Sequence, residues 1–145
     1  MHRPNVTTPN DTAPKTGADF KSKSGLTRIA KAAIYSWRGF VVAFRTEHAF
    51  RQELLLVLVL TPIALLLPVT WFERLMLFAA MSIVLITELL NSAIEAVVDK
   101  ASPEIHPLAG RAKDMGSAAV FVSLVLTVLA WAVIAGPVVW GWLRA

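Results

Sequence analysis

The chain has 145 residues, 56% of them apolar, with 14 Lys and Arg against 10 Asp and Glu and no cysteine. So much apolar surface excludes a wholly disordered chain, the missing cysteines exclude a disulfide or thiolate–metal scaffold, and the length points to one domain. The placement of charge argues against a soluble globule: residues 54–72 and 115–143 carry none and residues 75–98 only Glu88 and Glu95, whereas residues 1–53 hold 13 charges and residues 99–114 hold six.

Residues 1–23, with Pro4, Pro9 and Pro14 set among Thr, Asn, Asp, Lys and Gly, read as a disordered cytoplasmic tail. They contain no apolar h-region and so no signal peptide. From about 24 to 52 the pattern changes. Leu26, Ile29, Ala33, Trp37, Phe40 and Phe44 follow steps of 3, 4, 4, 3 and 4, one stripe of a helix, with Arg28, Lys31, Arg38 and Arg45 mostly off it. A basic amphipathic helix beside a membrane span is expected to lie in the interface, and Gly39 is a place for it to bend.

Three apolar stretches follow, about 54–72, 75–98 and 117–143, each near the roughly 20 residues needed to cross about 30 Å of hydrocarbon. Pro62 lies inside the first, and Gly136 and Pro137 lie near the end of the third; membrane helices tolerate such residues when neighbours satisfy the freed backbone. A soluble three-helix bundle is disfavoured, because the third stretch shows almost no polar face. The first 53 residues carry nine Lys and Arg and the second loop adds Lys100, Arg111 and Lys113, against Arg74 and Arg144 elsewhere. The basic side is expected in the cytoplasm, which puts the N-terminus and second loop inside and the C-terminus in the periplasm. Trp71, Phe72, Trp140 and Trp142 then become outer interfacial anchors.

The second span holds the chemistry. Glu88, Asn91, Glu95 and Asp99, spaced 3, 4 and 4 apart, line one helical face with Ser92 beside it. Each ionisable group near a bilayer centre costs about 2.5–3.5 kcal/mol on insertion scales, so such groups usually face a cavity and mark function. No span carries a basic partner, so positive charge must come from the cytoplasmic segments or a bound cation. Oxygen donors of this kind suit Mg²⁺ completed by phosphate oxygens. The second loop, Ser102 through Ser117, supplies Arg111 and Lys113 as donors to a polyphosphate. Neither GxxxxGK(S/T) nor GxGxxG occurs. A zinc site is disfavoured, since His48 and His106 form no paired ligand spacing.

Three stretches carry a resemblance: RIAKAAIYSW from Arg28, ELLNSAIEAVVD from Glu88, and GRAKDMGSAA from Gly110, with Glu47 and Ala49 through Glu53 also fitting. Over about residues 24–135 the chain resembles the prokaryotic diacylglycerol kinases of the Gram-negative, inner-membrane type. The resemblance implies an all-α membrane protein, a homotrimer whose subunits have three spans and an N-terminal surface helix, with residues 24–145 forming the membrane kinase domain and active sites shared between neighbours. It implies transfer of the γ-phosphoryl group of ATP, with Mg²⁺, to the hydroxyl of diacylglycerol, giving phosphatidic acid and ADP, and no nucleic-acid partner. By the same resemblance Glu88 matches the general base and Glu47 and Glu95 the metal-binding carboxylates. Arg28, Tyr35, Glu47, Glu95, Glu104, Ile105, His106, Lys113 and Asp114 match nucleotide contacts. Arg28, Ala32, Ala33, Ile34, Tyr35, Ser36, Trp37, Ala49, Phe50, Arg51, Gln52, Glu53, Glu88, Ser117 and Trp131 match contacts to the lipid substrate. Asn91 and Asp99 are expected as supporting polar residues. Pro62, Pro68, Pro107 and the N-terminal tail depart from the family's pattern. Other readings of the buried carboxylates are an undecaprenol kinase of the same superfamily, a small proton or ion conductor, and a non-catalytic membrane subunit.

Overall fold

The computed structural model describes residues 25–102 and 106–145. The expected tail, 1–23, and two expected nucleotide contacts, Glu104 and Ile105, lie outside them. Every regular element among the described residues is a helix: α1 (Gly25–Thr46), α2 (His48–Leu66), α3 (Trp71–Ala101) and α4 (Pro107–Arg144). The last three are long and apolar enough to cross a membrane. The described residues divide into two units, one up to Gly39 and one from Phe40 onward. In the first, Ile29 and Trp37 of the expected stripe are 67% and 71% exposed, as suits a helix whose apolar face meets lipid. Gly39 does not interrupt α1.

In the second unit α3 is central, packed along α4 and over a shorter length against α2. The expected surface helix to residue 52 ends earlier, at Thr46, and the following residues begin the first span. The break is the single residue Glu47, extended at φ −98° and ψ 118°, and neither Pro nor Gly causes it. Arg51 reaches back from the first turn of α2 to donate to the carbonyls of Phe44 and Arg45, at 3.1 Å each, and to His48 Nδ1 at 2.7 Å. Its guanidinium thus satisfies the carbonyls that a helix leaves unpaired at its C-terminus. Phe50, 1% exposed, packs by the turn with Phe40, ring centroids 6.3 Å apart.

The first span also ends earlier than expected, at Leu66. Pro68 disfavours helical backbone at the residue before it, and Leu67 is extended (φ −60°, ψ 137°). Trp71 and Phe72 therefore open α3 instead of closing α2. A reciprocal cap starts α3: Glu73 N donates to Thr70 Oγ1 at 3.2 Å and Thr70 N to Glu73 Oε2 at 2.8 Å. Arg74 closes α2 from across the turn, donating to Ala64 O at 3.0 Å and Leu67 O at 2.9 Å while stacking over Trp71. Ala64, Leu67, Leu77 and Ala135 form a buried core at this end.

Much of what the sequence offered as a second loop is helix. His106 Nδ1 accepts from Leu108 N at 3.2 Å as the N-cap, and Pro107 occupies the first helical position, where its missing N–H removes no bond. Residues 107–116 are thereby the first turns of α4. The α3–α4 seam is polar and narrow. Thr87 and Ser123 share a hydrogen bond of 2.9 Å, and Thr127 Oγ1 donates to Ala80 O at 3.2 Å. Small and hydroxylated residues of this kind bring membrane helices close and bond across them. Gly116, Val120, Ser123 and Thr127, in steps of 4, 3 and 4, are the face that sequence inspection of the third span overlooked. Away from the seam the spans present apolar side chains outward, such as Leu66, Val128 and Val133 at 83%, 67% and 71% exposed.

Candidate active site

Two clefts open between α2, α3 and α4, and both are lined by Glu88. The first, about 420 Å³, is polar: the extended turn contributes Thr46, Glu47 and His48, α3 contributes Glu88, Asn91 and Glu95, and α4 contributes Ser117 and Val120. The second, about 410 Å³, holds Gln52, Glu53 and Glu88 and is bounded by Leu56, Val120 and Leu124. Glu88 is only 4% exposed. The helical spacing that aligned Glu88, Asn91 and Glu95 in the sequence puts all three into the polar cleft. Glu47 joins them because the α1–α2 break turns it there.

Hydrogen bonds order the polar cleft. Thr46 Oγ1 donates to Glu47 Oε1 at 2.9 Å, and Asn91 Nδ2 donates to Glu95 Oε1 at 3.3 Å. Among the described residues no group of three or more His, Asp or Glu side chains converges closely enough to cage an ion. The polar cleft is lined by three carboxylates, Glu47, Glu88 and Glu95, oxygen donors of the type that suits a hard cation. At the mouth of the helices Lys113 Nζ pairs with Asp99 Oδ1 at 2.5 Å, joining the ends of α3 and α4. Asp99 is therefore a partner of Lys113 rather than a lining residue of either cleft.

The remaining expected residues fall in several places. Ala49 lines both clefts, Gln52 and Glu53 the second, and Ser117 the first. Glu53 is 9% exposed and its Oε2 is buried with no hydrogen-bond partner. Phe50 and Arg51 hold the α1–α2 turn, and His106 caps α4. Asp114 is exposed and lines neither cleft. Trp131 packs on the Ala64–Leu77–Ala135 core, about 21 Å along α4 from Ser117 at 1.5 Å per residue, and its Nε1 is buried without a partner. Arg28 and Ala32 through Trp37 lie on α1 in the first unit, with Tyr35 54% exposed. Val120 and Leu124, four residues apart on α4, line the clefts and were missed by sequence reasoning, as was Gly116 against Asn91; their four-residue spacing was the available signal.

The family model for prokaryotic diacylglycerol kinase matches residues 34–135. A protein of Pseudomonas aeruginosa named diacylglycerol kinase is 55% identical over 115 residues, 79% of this chain and 94% of that one. The diacylglycerol kinase of Escherichia coli K12 is 50% identical over 111 residues, covering 77% and 91%. That of Haemophilus influenzae is 42% identical over 108 residues, covering 74% and 92%.

Proposed function

The chain belongs to the prokaryotic diacylglycerol kinase family, and from that premise we propose how a membrane protein of this architecture performs the reaction. It is a diacylglycerol kinase, a phosphotransferase acting on an alcohol group. The observation that carries the mechanism is that Glu88 belongs to both clefts. The polar cleft has the groups to receive the triphosphate end of ATP, and the cleft bounded by Leu56, Val120 and Leu124 has those to receive the head of a lipid. A carboxylate at their junction can accept the hydroxyl proton as that oxygen attacks the γ-phosphorus, giving phosphatidic acid and ADP.

Glu47 and Glu95 would hold Mg²⁺, which when bound neutralises charge on the phosphate oxygens. Asn91 fixes the Glu95 carboxylate through its amide. Lys113, tied to Asp99, and Asp114 stand at the helix ends as nucleotide contacts. Arg28 and Tyr35 serve the nucleotide, and Ala32 through Trp37, Gln52 and Glu53 serve the lipid, roles carried by the family resemblance; Ser117, which that resemblance also gives to the lipid, lines the polar cleft. Trp131 retains a lipid role only by that resemblance. The protein works as a homotrimer in the inner membrane, N-terminus in the cytoplasm and C-terminus in the periplasm; the 12 Lys and Arg on one side of the spans against two on the other support that orientation.

The test is transfer of labelled phosphate from ATP to a short-chain diacylglycerol in detergent, with and without magnesium, beside a polyprenol acceptor. Magnesium-dependent labelling of the diacylglycerol is expected. Preferential labelling of the polyprenol would reject the lipid assignment, and undiminished transfer in the presence of a chelator would reject the metal role.

A further inference from the structure

Gly116 is buried in the middle of α4's N-terminal half, and no glycine among the described residues adopts positive φ. Backbone freedom is thus no reason for it, and glycine weakens a helix relative to alanine. Space is the reason that remains. A Cβ built on Gly25, Gly39, Gly110, Gly136 or Gly141 meets nothing within 4 Å. On Gly116 it would collide with Oδ1 of Asn91 and come within 3.3 Å of that residue's Cγ, whereas the Asn91 backbone, at 3.7 Å, is at ordinary contact. The helix backbones would tolerate the methyl group; the Asn91 side chain would have to turn away from its present position. Asn91 Oδ1 is itself buried with no hydrogen-bond partner, so it faces a glycine Cα–H, a weak donor at best. The other end of the same amide donates to Glu95.

We propose that Gly116 is a positioning residue of this kinase: its missing side chain lets the Asn91 amide lie flat against α4 with its nitrogen turned to Glu95. The role rests on the reading of Glu95 given above, because it acts through Asn91 on a carboxylate of the polar cleft. Gly116 and Asn91 meet at the wall of a separate apolar cleft between α3 and α4; of the pair only Asn91 reaches the polar cleft, beside Glu95, and neither lines the Leu56–Leu124 cleft, so the substrate-binding effect belongs on the nucleotide side.

The experiment is a double-mutant cycle with Gly116→Ala, Asn91→Ala and the pair, read in turnover, in KM for each substrate and in melting temperature in detergent. Gly116→Ala is expected to lower turnover about tenfold and to raise KM for ATP, leaving KM for a short-chain diacylglycerol unchanged. In the Asn91→Ala background the same substitution should cost nothing further in turnover and should shift the melting temperature more favourably than it does beside an intact Asn91, since the atom it strikes is gone and alanine favours the helix. Equal changes in melting temperature and turnover in both backgrounds would show that the Asn91 amide is not what Gly116 serves and would overturn the proposal, as would full activity of Gly116→Ala. Because Asn91→Ala itself removes most turnover, the melting-temperature arm keeps the cycle readable. A wild-type protein that phosphorylates no diacylglycerol, yet shows that thermal coupling, would sink the kinase reading while leaving the Gly116–Asn91 fit standing.

Discussion

Replacing Glu88 by glutamine removes a proton acceptor while leaving volume and shape nearly unchanged. Glu88 is 4% exposed and is walled by α2, α3 and α4. The amide therefore opens no cavity and forces no overpacking, and solvent has little access through which to take over the proton. General bases contribute about 10²- to 10⁴-fold to rate, equivalent to about 3–5 kcal/mol of barrier. Turnover of Glu88→Gln is expected to fall by that range, measured as labelled phosphate transferred to short-chain diacylglycerol in detergent micelles with both substrates saturating. KM for ATP should change little, because Glu88 is not among the carboxylates assigned to the ion, and melting temperature should hold within a few degrees. Glu88→Asp, which retracts the carboxylate by about 1.5 Å of chain, should fall between the two. A folded Glu88→Gln protein with near-normal turnover would remove Glu88 from the reaction and with it the significance of the shared wall between the clefts.

Three further outcomes are expected. Arg74→Met loses two charged hydrogen bonds to the end of α2 and should cost about 2–3 kcal/mol of stability in detergent unfolding, with turnover below the transition unchanged; a loss of turnover at full stability would contradict a purely structural role. Glu53→Gln relieves a buried carboxylate whose Oε2 has no partner and should stabilise the protein by about 1 kcal/mol, while raising KM for diacylglycerol if Glu53 touches the lipid head; lowered stability would mean that the carboxylate has an essential partner. Lys113→Met breaks an exposed pair with Asp99, and exposed pairs contribute little, so melting temperature should hold while KM for ATP rises; the reverse pattern would make Lys113 a structural clamp.

The order and number of helices, and the face carrying Glu88, Asn91 and Glu95, follow from sequence alone, because a membrane segment must satisfy its own backbone and a 3.6-residue period then fixes which side chains align. The resemblance of the EXXNSAIE and GRAKD stretches carried the family, and the matched relatives agree with it. The helix ends were not legible. Glu47 breaks the chain between α1 and α2 through a cap supplied by Arg51, four residues later, and His106 with Pro107 turns a charged loop into the start of α4. Both are side-chain-to-backbone closures, which single-residue propensities do not encode. Nor could the sequence pair α3 with α4. That required the register in which Ser123 meets Thr87 and Gly116 meets Asn91, and register is set by which atoms fit when two helices close. Spacing along one helix therefore brought Glu88, Asn91 and Glu95 into line. The contact between helices, in which one absent methyl group makes room for an amide, decided which way Asn91 faces.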